Sequence, residues 1–150
     1  MTATADKPIT LSDAAHQELV DIVDTENVLT RPADLMTYDC DGTTLDKLPP
    51  AAVVFVHNTK QVQAVVRWAN RHNLPFIARG AGTGLSGGAL ALHGGVIIEL
   101  SRMMRILEVD LESGIAVLEP GVVNAFVTRH VQRDGYYFAP DPSSQSACTV

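Results

Sequence analysis

Apolar residues along this chain follow a helical spacing in some stretches and unbroken runs in others. Ala15, Leu19, Ile22 and Val23 fall at i, i+4, i+7 and i+8, behind a Ser12 that can cap and an Asp13 that suits a first turn. This predicts a helix docked by one face. After Pro49 and Pro50, residues 51–56 form a continuous apolar run, the pattern of a strand covered on both faces. Thr59 can cap a second helix with Val62, Val65, Val66 and Ala69 inward and Lys60, Gln61, Gln63, Arg67 and Arg71 outward, ended by Asn73, Leu74 and Pro75. Trp68 lies in that helix, where packing is its expected role. Phe76, Ile77 and Ala78 then make a second strand, so residues 53–78 read as a strand-helix-strand unit with a parallel pair and a right-handed crossover. Residues 96–100 give a third strand, and 106–110 pair by pattern with 115–119 across Glu112, Ser113 and Gly114 as a hairpin. Asn124 can cap a last helix with Val127 and Val131 on one face, closed by Gly135. The resulting class is α+β: a small parallel β-α-β subdomain plus a second, mixed or antiparallel sheet with flanking helices.

The strand at 76–78 runs straight into Arg79, Gly80, Ala81, Gly82, Thr83, Gly84, Leu85, Ser86, Gly87 and Gly88. Glycine permits positive φ and lets successive backbone N–H groups approach a ligand, so the stretch is a candidate anion cradle. Thr83 and Ser86 add hydroxyls, Arg79 adds a positive charge, and no carboxylate lies between Asp46 and Glu99. A diphosphate is the ligand to look for. Residues 82–87 satisfy G-x-G-x-x-G, but no crossover helix fits before the next apolar run, which argues against a nicotinamide-type site. No Gly-Lys-Ser/Thr ends the stretch, so it is not a P-loop. A glycine-rich turn joining two strands is the plainer alternative.

Composition narrows the class. Hydrophobic residues make up 46% of the 150 positions, enough for one domain with a core. The net charge of −6 is uneven, since residues 1–47 hold ten carboxylates against three basic groups while 48–150 are nearly neutral. An acidic N-terminal leader (1–47), flexible over residues 1–10 and carrying the first helix, is therefore expected to pack on a body (48–150). Neither part has the clustered Lys and Arg of a nucleic-acid surface. Cys40 and Cys148 match no zinc or redox motif and read as reduced thiols of a cytoplasmic protein. No signal segment or membrane span is evident, which leaves peripheral membrane association through a partner open. Residues 146–150 follow directly on a functional-looking loop, and the chain reads as a fragment.

Three further features carry alternatives. Tyr38, Asp39, Cys40, Asp41, Gly42 and Thr43 form an acidic loop that invites a metal; a turn-forming Asp cluster is favoured because calcium-loop spacing is absent. Tyr136, Tyr137 and Phe138 lead into Ala139, Pro140, Asp141, Pro142, Ser143 and Ser144, a stiff loop able to hold a planar ring, or else an aromatic cluster beside a surface turn. The five histidines share no metal-ligand spacing, and no Ser/His/Asp arrangement can be assembled.

From about Tyr38 onward the sequence resembles the flavin-binding half of FAD-linked 2-hydroxy-acid dehydrogenases of the vanillyl-alcohol oxidase (p-cresol methylhydroxylase-type) superfamily, with the glycolate oxidase D-subunit branch nearest. The resemblance rests on residues 38–42, 78–89, 119–122 (Glu-Pro-Gly-Val) and 137–145. It implies a p-cresol methylhydroxylase-type FAD-binding fold, truncated, with residues 79–88 around the FAD diphosphate. It also implies that Pro140, Asp141, Pro142, Ser143 and Ser144, with Cys148 and Thr149, border the flavin and its ribityl chain. Relatives with covalent flavin carry a histidine where Thr83 stands, which implies non-covalent FAD. The implied reaction is oxidation of a D-2-hydroxy acid to the 2-oxo acid, with electrons passing to a separate acceptor and partner subunits expected by analogy. The remainder of the flavin domain, the substrate domain and any metal ligands are absent, so no catalytic residue is carried over and the chain alone is expected to be inactive. A non-catalytic nucleotide-binding module and a scaffold with a purely structural glycine turn are the competing classes.

Overall fold

The computed structural model describes residues 9–44, 47–91 and 93–150. The flexible terminus expected over residues 1–10 lies, up to residue 8, outside the described residues. Helix α1 spans Asp13–Val23, with the Ser12 hydroxyl accepting from the Ala15 N–H at 3.2 Å as its sequence predicts. The described part of the acidic region also holds a short strand β1 (Val28–Leu29) and a single-turn helix α2 (Pro32–Leu35), neither of which the hydrophobic pattern announced.

The central sheet contains β1, β2 (Ala52–Phe55), β3 (Phe76–Arg79) and β4 (Val96–Glu99) in the order β1-β2-β4-β3. Only β1 is antiparallel; β2, β4 and β3 run parallel, with Val53, Ile97 and Ile77 in register. The predicted pair of strands flanking the helix is parallel but not adjacent, because β4 lies between them. The reason is burial: β4 is buried at all four positions and takes the centre, whereas β3, with Phe76 exposed, takes the edge. Successive residues then point to opposite faces. Val54, Val96 and Ile98 meet α1 and α3 through Leu19, Val23, Val65 and Trp68, while Val53 and Ile97 pack beneath Leu35 and Ala91.

Helix α3 (Thr59–Arg71) turns Val65, Trp68 and Ala69 inward. Its cap is Asn58 rather than Thr59: Asn58 has extended backbone and its side-chain oxygen accepts from the Gln61 N–H at 3.0 Å, which leaves Thr59 as the first helical residue. Trp68 is fully buried and donates its indole N–H to the Ala15 carbonyl at 3.1 Å, joining α3 to α1. The connection from β3 to β4, residues 80–95, crosses between adjacent parallel strands with no helix among its described residues. The glycine loop is itself the crossover.

Strands β5 (Ile106–Asp110) and β6 (Ile115–Leu118) form the expected antiparallel hairpin, with a register shift between Ile106 and Glu108. Helix α4 (Asn124–Val131) follows and is closed through a short 3₁₀ turn by Gly135 in the left-handed region. Asn124 is inside this helix, not its cap. The first-turn N–H groups of Asn124 and Ala125 donate instead to the carbonyls of Cys148 and Gln145, at 2.9 and 3.0 Å, so the C-terminal segment does what a capping side chain would have done.

Candidate functional site

The parallel strands end together at one edge, where Phe55, Glu99 and Arg79 stand in register. Ligands of open α/β sheets bind outside this carboxyl edge. An alternating stack of cations and rings runs along it. Arg102 lies over Phe55 at 4.3 Å, Tyr38 meets Phe55 edge-on at 6.2 Å, and Arg79 covers Tyr38 at 5.4 Å. Glu99 is buried beneath it, accepting from the Ser101 N–H at 3.1 Å, and burial raises its pKa above the usual carboxylate value.

The glycine loop leaves β3 at this edge and encloses a cleft of about 350 Å³ lined by residues 78–86, Gly88, Ala89 and Thr149. Every loop residue from Arg79 to Ser86 contributes to its wall. Among the described residues no protein acceptor takes the N–H of Ala81, Gly82, Thr83, Gly84, Leu85 or Ser86. Gly82 and Thr83 are half-buried and the other four exposed, so these six amides are left to solvent or to an acceptor in the cleft. Gly82 has φ +67°, the left-handed region that favours glycine, and a side chain there would also overlap the Arg79 guanidinium.

The side chain of Arg79 departs from its expected role. Its guanidinium lies inside the loop, below Gly82, and donates to the carbonyls of Cys40 at 2.9 Å and Ala89 at 3.3 Å. Its hydrogen bonds therefore tie the start of the loop to its end and to the acidic segment. The acidic loop supplies the rest of the support. Asp41 is buried; one carboxylate oxygen accepts from the Thr43 N–H and hydroxyl at 3.0 and 2.9 Å, and the other from the Gly87 N–H at 2.8 Å. These bonds, led by the Thr43 amide, hold the Asp41 pKa below the ordinary aspartate value. The turn-forming reading of this cluster matches the geometry, and no metal-holding group of three side chains occurs among the described residues. Asp39 is apart from the cleft, 3.7 Å from Lys47.

Of the downstream candidates the structure brings Thr149 to the cleft, with its hydroxyl where a Cβ on Gly80 would lie and its backbone bridged to Val123. Pro140, Asp141, Pro142, Ser143, Ser144 and Cys148 do not line it; residues 142–148 form turns against the start of α4. Tyr136 and Tyr137 are exposed, and with Phe138 they edge a separate hollow between the hairpin and α4. The residues sequence reading missed as supports are Asp41, Gly42 and Tyr38. The sequence marked residues 38–42 as a turn-forming acidic loop and as part of the family resemblance, without linking them to the glycine loop about 40 positions later.

A glycine-rich crossover loop with free amides at the carboxyl edge of a parallel sheet, beside a separate antiparallel hairpin, defines a dinucleotide-binding α+β domain. The chain belongs to the FAD binding domain family, which it matches over residues 50–150. It is 38% identical over 123 residues to the glycolate oxidase subunit GlcD of Escherichia coli (strain K12), covering 82% of this chain and 25% of that protein. It is 36% identical over 137 residues to the D-2-hydroxyglutarate dehydrogenase of Stutzerimonas stutzeri (strain A1501), covering 91% and 30%. Among solved structures, p-cresol methylhydroxylase with substrate bound superposes with a TM-score of 0.72 at 28% identity, over 82% of this chain and 25% of that one. The fold is the p-cresol methylhydroxylase-type FAD-binding fold, as the motifs implied. The chain spans about a quarter to a third of the length of these relatives. No helix among the described residues is long and apolar enough to cross a membrane.

Proposed function

We propose that this chain supplies the diphosphate-binding loop of an FAD-dependent enzyme that oxidises a D-2-hydroxy acid of the glycolate or D-lactate type to its 2-oxo acid. The observation that carries the reading is the run of unpartnered amides from Ala81 to Ser86 around an open cleft. Two linked phosphoryl groups present several acceptor oxygens and two negative charges, which match a cleft wall rich in N–H groups without protein acceptors and free of carboxylates. Residues 79–88 hold the diphosphate, and Thr149 closes the far side. Pro140, Asp141, Pro142, Ser143, Ser144 and Cys148 border the flavin, and residues 48–150 form the N-terminal part of the FAD-binding domain, with 1–47 packed on it. FAD, when bound, supplies the two-electron redox chemistry, and the protein positions it and excludes water.

Thr83 lines the cleft where relatives with covalent flavin carry a histidine, and that resemblance supports a cofactor held without a covalent bond. No catalytic acid or base is assigned to this chain. Partner subunits and a separate electron acceptor follow from the likeness to a glycolate oxidase subunit. Two free thiols, Cys40 and Cys148, suit a reducing cytoplasm, with any membrane contact made through partners.

The test is a titration of the protein with FAD and ADP, followed by reduction of a dye acceptor with glycolate, D-lactate and D-2-hydroxyglutarate side by side. FAD should bind this chain more tightly than ADP, and in the full-length protein that carries it one of the three acids should reduce the dye when the flavin is bound. Equal affinity for FAD and ADP, with no flavin in the purified protein, would instead identify a nucleotide-binding module.

A further inference from the structure

Two contacts join the acidic loop to the cradle three residues apart. The Gly42 N–H donates to the Gly84 carbonyl at 2.9 Å, and the Asp41 carboxylate accepts from the Gly87 N–H at 2.8 Å. Neither Asp41 nor Gly42 lines the cleft, so both act on the loop from behind.

We infer that Asp41 and Gly42 are positioning residues for the diphosphate, turning the peptide between Gly84 and Leu85 so that its N–H faces the cleft and ending the cradle at Ser86. The argument is one of peptide geometry. In a planar trans peptide the C=O and N–H lie on opposite edges. With the Gly84 carbonyl drawn toward Gly42, the Leu85 N–H points away from the brace, to the side where Leu85 lines the cleft. With the Gly87 N–H drawn toward Asp41, the Ser86 carbonyl points the opposite way. A carbonyl oxygen repels an anion, so the donor run stops there. Gly42 is needed for the approach, because a Cβ on it would lie 2.9 Å from the carbonyl oxygens of both Thr83 and Gly84. Asp41 is itself fixed by the Thr43 N–H and hydroxyl, so the loop is held by a side chain with little freedom of its own.

This inference rests on the diphosphate reading, and the test separates the two. Dissociation constants for FAD and for ADP, which share the diphosphate, are measured for the full chain and for Asp41→Ala, Asp41→Asn and Thr43→Val, well below each melting temperature. Asp41→Ala should weaken FAD and ADP by the same factor, about tenfold, as expected for a lost hydrogen bond to a charged group. Asp41→Asn keeps one acceptor oxygen and should fall between wild type and Asp41→Ala. Amide exchange of the ligand-free chain should show the Gly87 N–H protected in wild type and open in Asp41→Ala. If Asp41→Ala does not fold, by far-UV circular dichroism, Asp41→Asn and Thr43→Val carry the comparison, with losses of about twofold to fivefold expected. A merely structural role would lower the melting temperature and leave both constants unchanged, and that result overturns the inference while the FAD reading stands. A wild-type protein that binds neither FAD nor ADP overturns the reading itself.

Discussion

The guanidinium of Arg79 donates to the carbonyl of Cys40 at 2.9 Å, fastening the residue that opens the glycine loop to a segment 39 positions earlier in the chain. The same group reaches Ala89 at the loop's far end, so one side chain ties together the brace, the start of the cradle and its close. Arg79→Lys tests whether charge or shape matters. A lysine retains the positive charge but cannot serve both carbonyls and lie over Tyr38. We expect Arg79→Lys to lose roughly 1 kcal/mol of stability, for one carbonyl left unpaired, and to bind FAD as poorly as Arg79→Ala. Urea unfolding and flavin titration check this; recovery of affinity by lysine alone would assign the charge to the phosphate.

Gly82 and Gly84 should respond differently to alanine. Gly82 has positive φ and sits against Arg79, so Gly82→Ala should lower stability by at least about 1 kcal/mol and abolish measurable FAD binding. A methyl group on Gly84 meets nothing within 4 Å. Gly84→Ala should therefore melt within a degree or two of wild type yet bind FAD more weakly, because the methyl occupies space at the cleft wall. Equal stability and equal affinity for Gly84→Ala would count against the cradle.

Trp68 anchors α1 to α3 far from the cleft. Trp68→Ala leaves a large void in the core and removes the bond that joins α3 to the Ala15 carbonyl, for which the expected loss is roughly 3–5 kcal/mol. Trp68→Phe keeps most of the volume and should lose only about 1–2 kcal/mol, chiefly through the missing hydrogen bond. Calorimetric unfolding distinguishes them.

Glu119 gives the chain a pH-sensitive joint. Its carboxylate accepts from the Arg105 backbone N–H at 2.8 Å and from the Arg105 guanidinium at 2.7 and 3.0 Å, closing the base of the hairpin. The Arg105 side-chain bonds, first, and the backbone bond hold the Glu119 pKa below its ordinary value. A depressed folded-state pKa contributes stability above the unfolded value, about 4.3, and that contribution disappears as pH falls through the folded value. Melting temperature should therefore drop on acidification below about pH 4.5. Replacing Glu119 by Gln should flatten that acid limb. Glu99 has the opposite sign: its pKa is raised by burial, so its contribution is present below the unfolded value and lost as pH rises through the folded one. An acid limb as steep in Glu119→Gln as in wild type would remove Glu119 from the explanation.

The local elements were legible because each depends on neighbours in sequence. Ala15, Leu19 and Val23 line one face of α1, Ser12 caps it, the run at 52–55 is a strand buried on both faces, and Gly135 ends the turn after α4. The glycine loop was legible too, because five glycines in ten residues suit neither a helix nor a strand. The two capping assignments that failed, Thr59 and Asn124, lost to competitors: a better-placed asparagine one residue earlier, and carbonyls from the other end of the chain.

By itself, then, the sequence determined the longer helices, the strands from residue 52 onward and the glycine loop, and that the loop follows a parallel strand, but not β1 or α2. Tertiary structure decided that β4 separates β2 from β3, that the Arg79 charge faces inward, and that Asp41 and Thr149 meet a loop distant from both in the chain. The physical reason is range. Periodicity and φ preference act over a few residues, whereas strand order follows from which surfaces are most buried, and the Gly84 carbonyl and Gly87 N–H of the glycine loop are held by hydrogen bonds to residues more than 40 positions away.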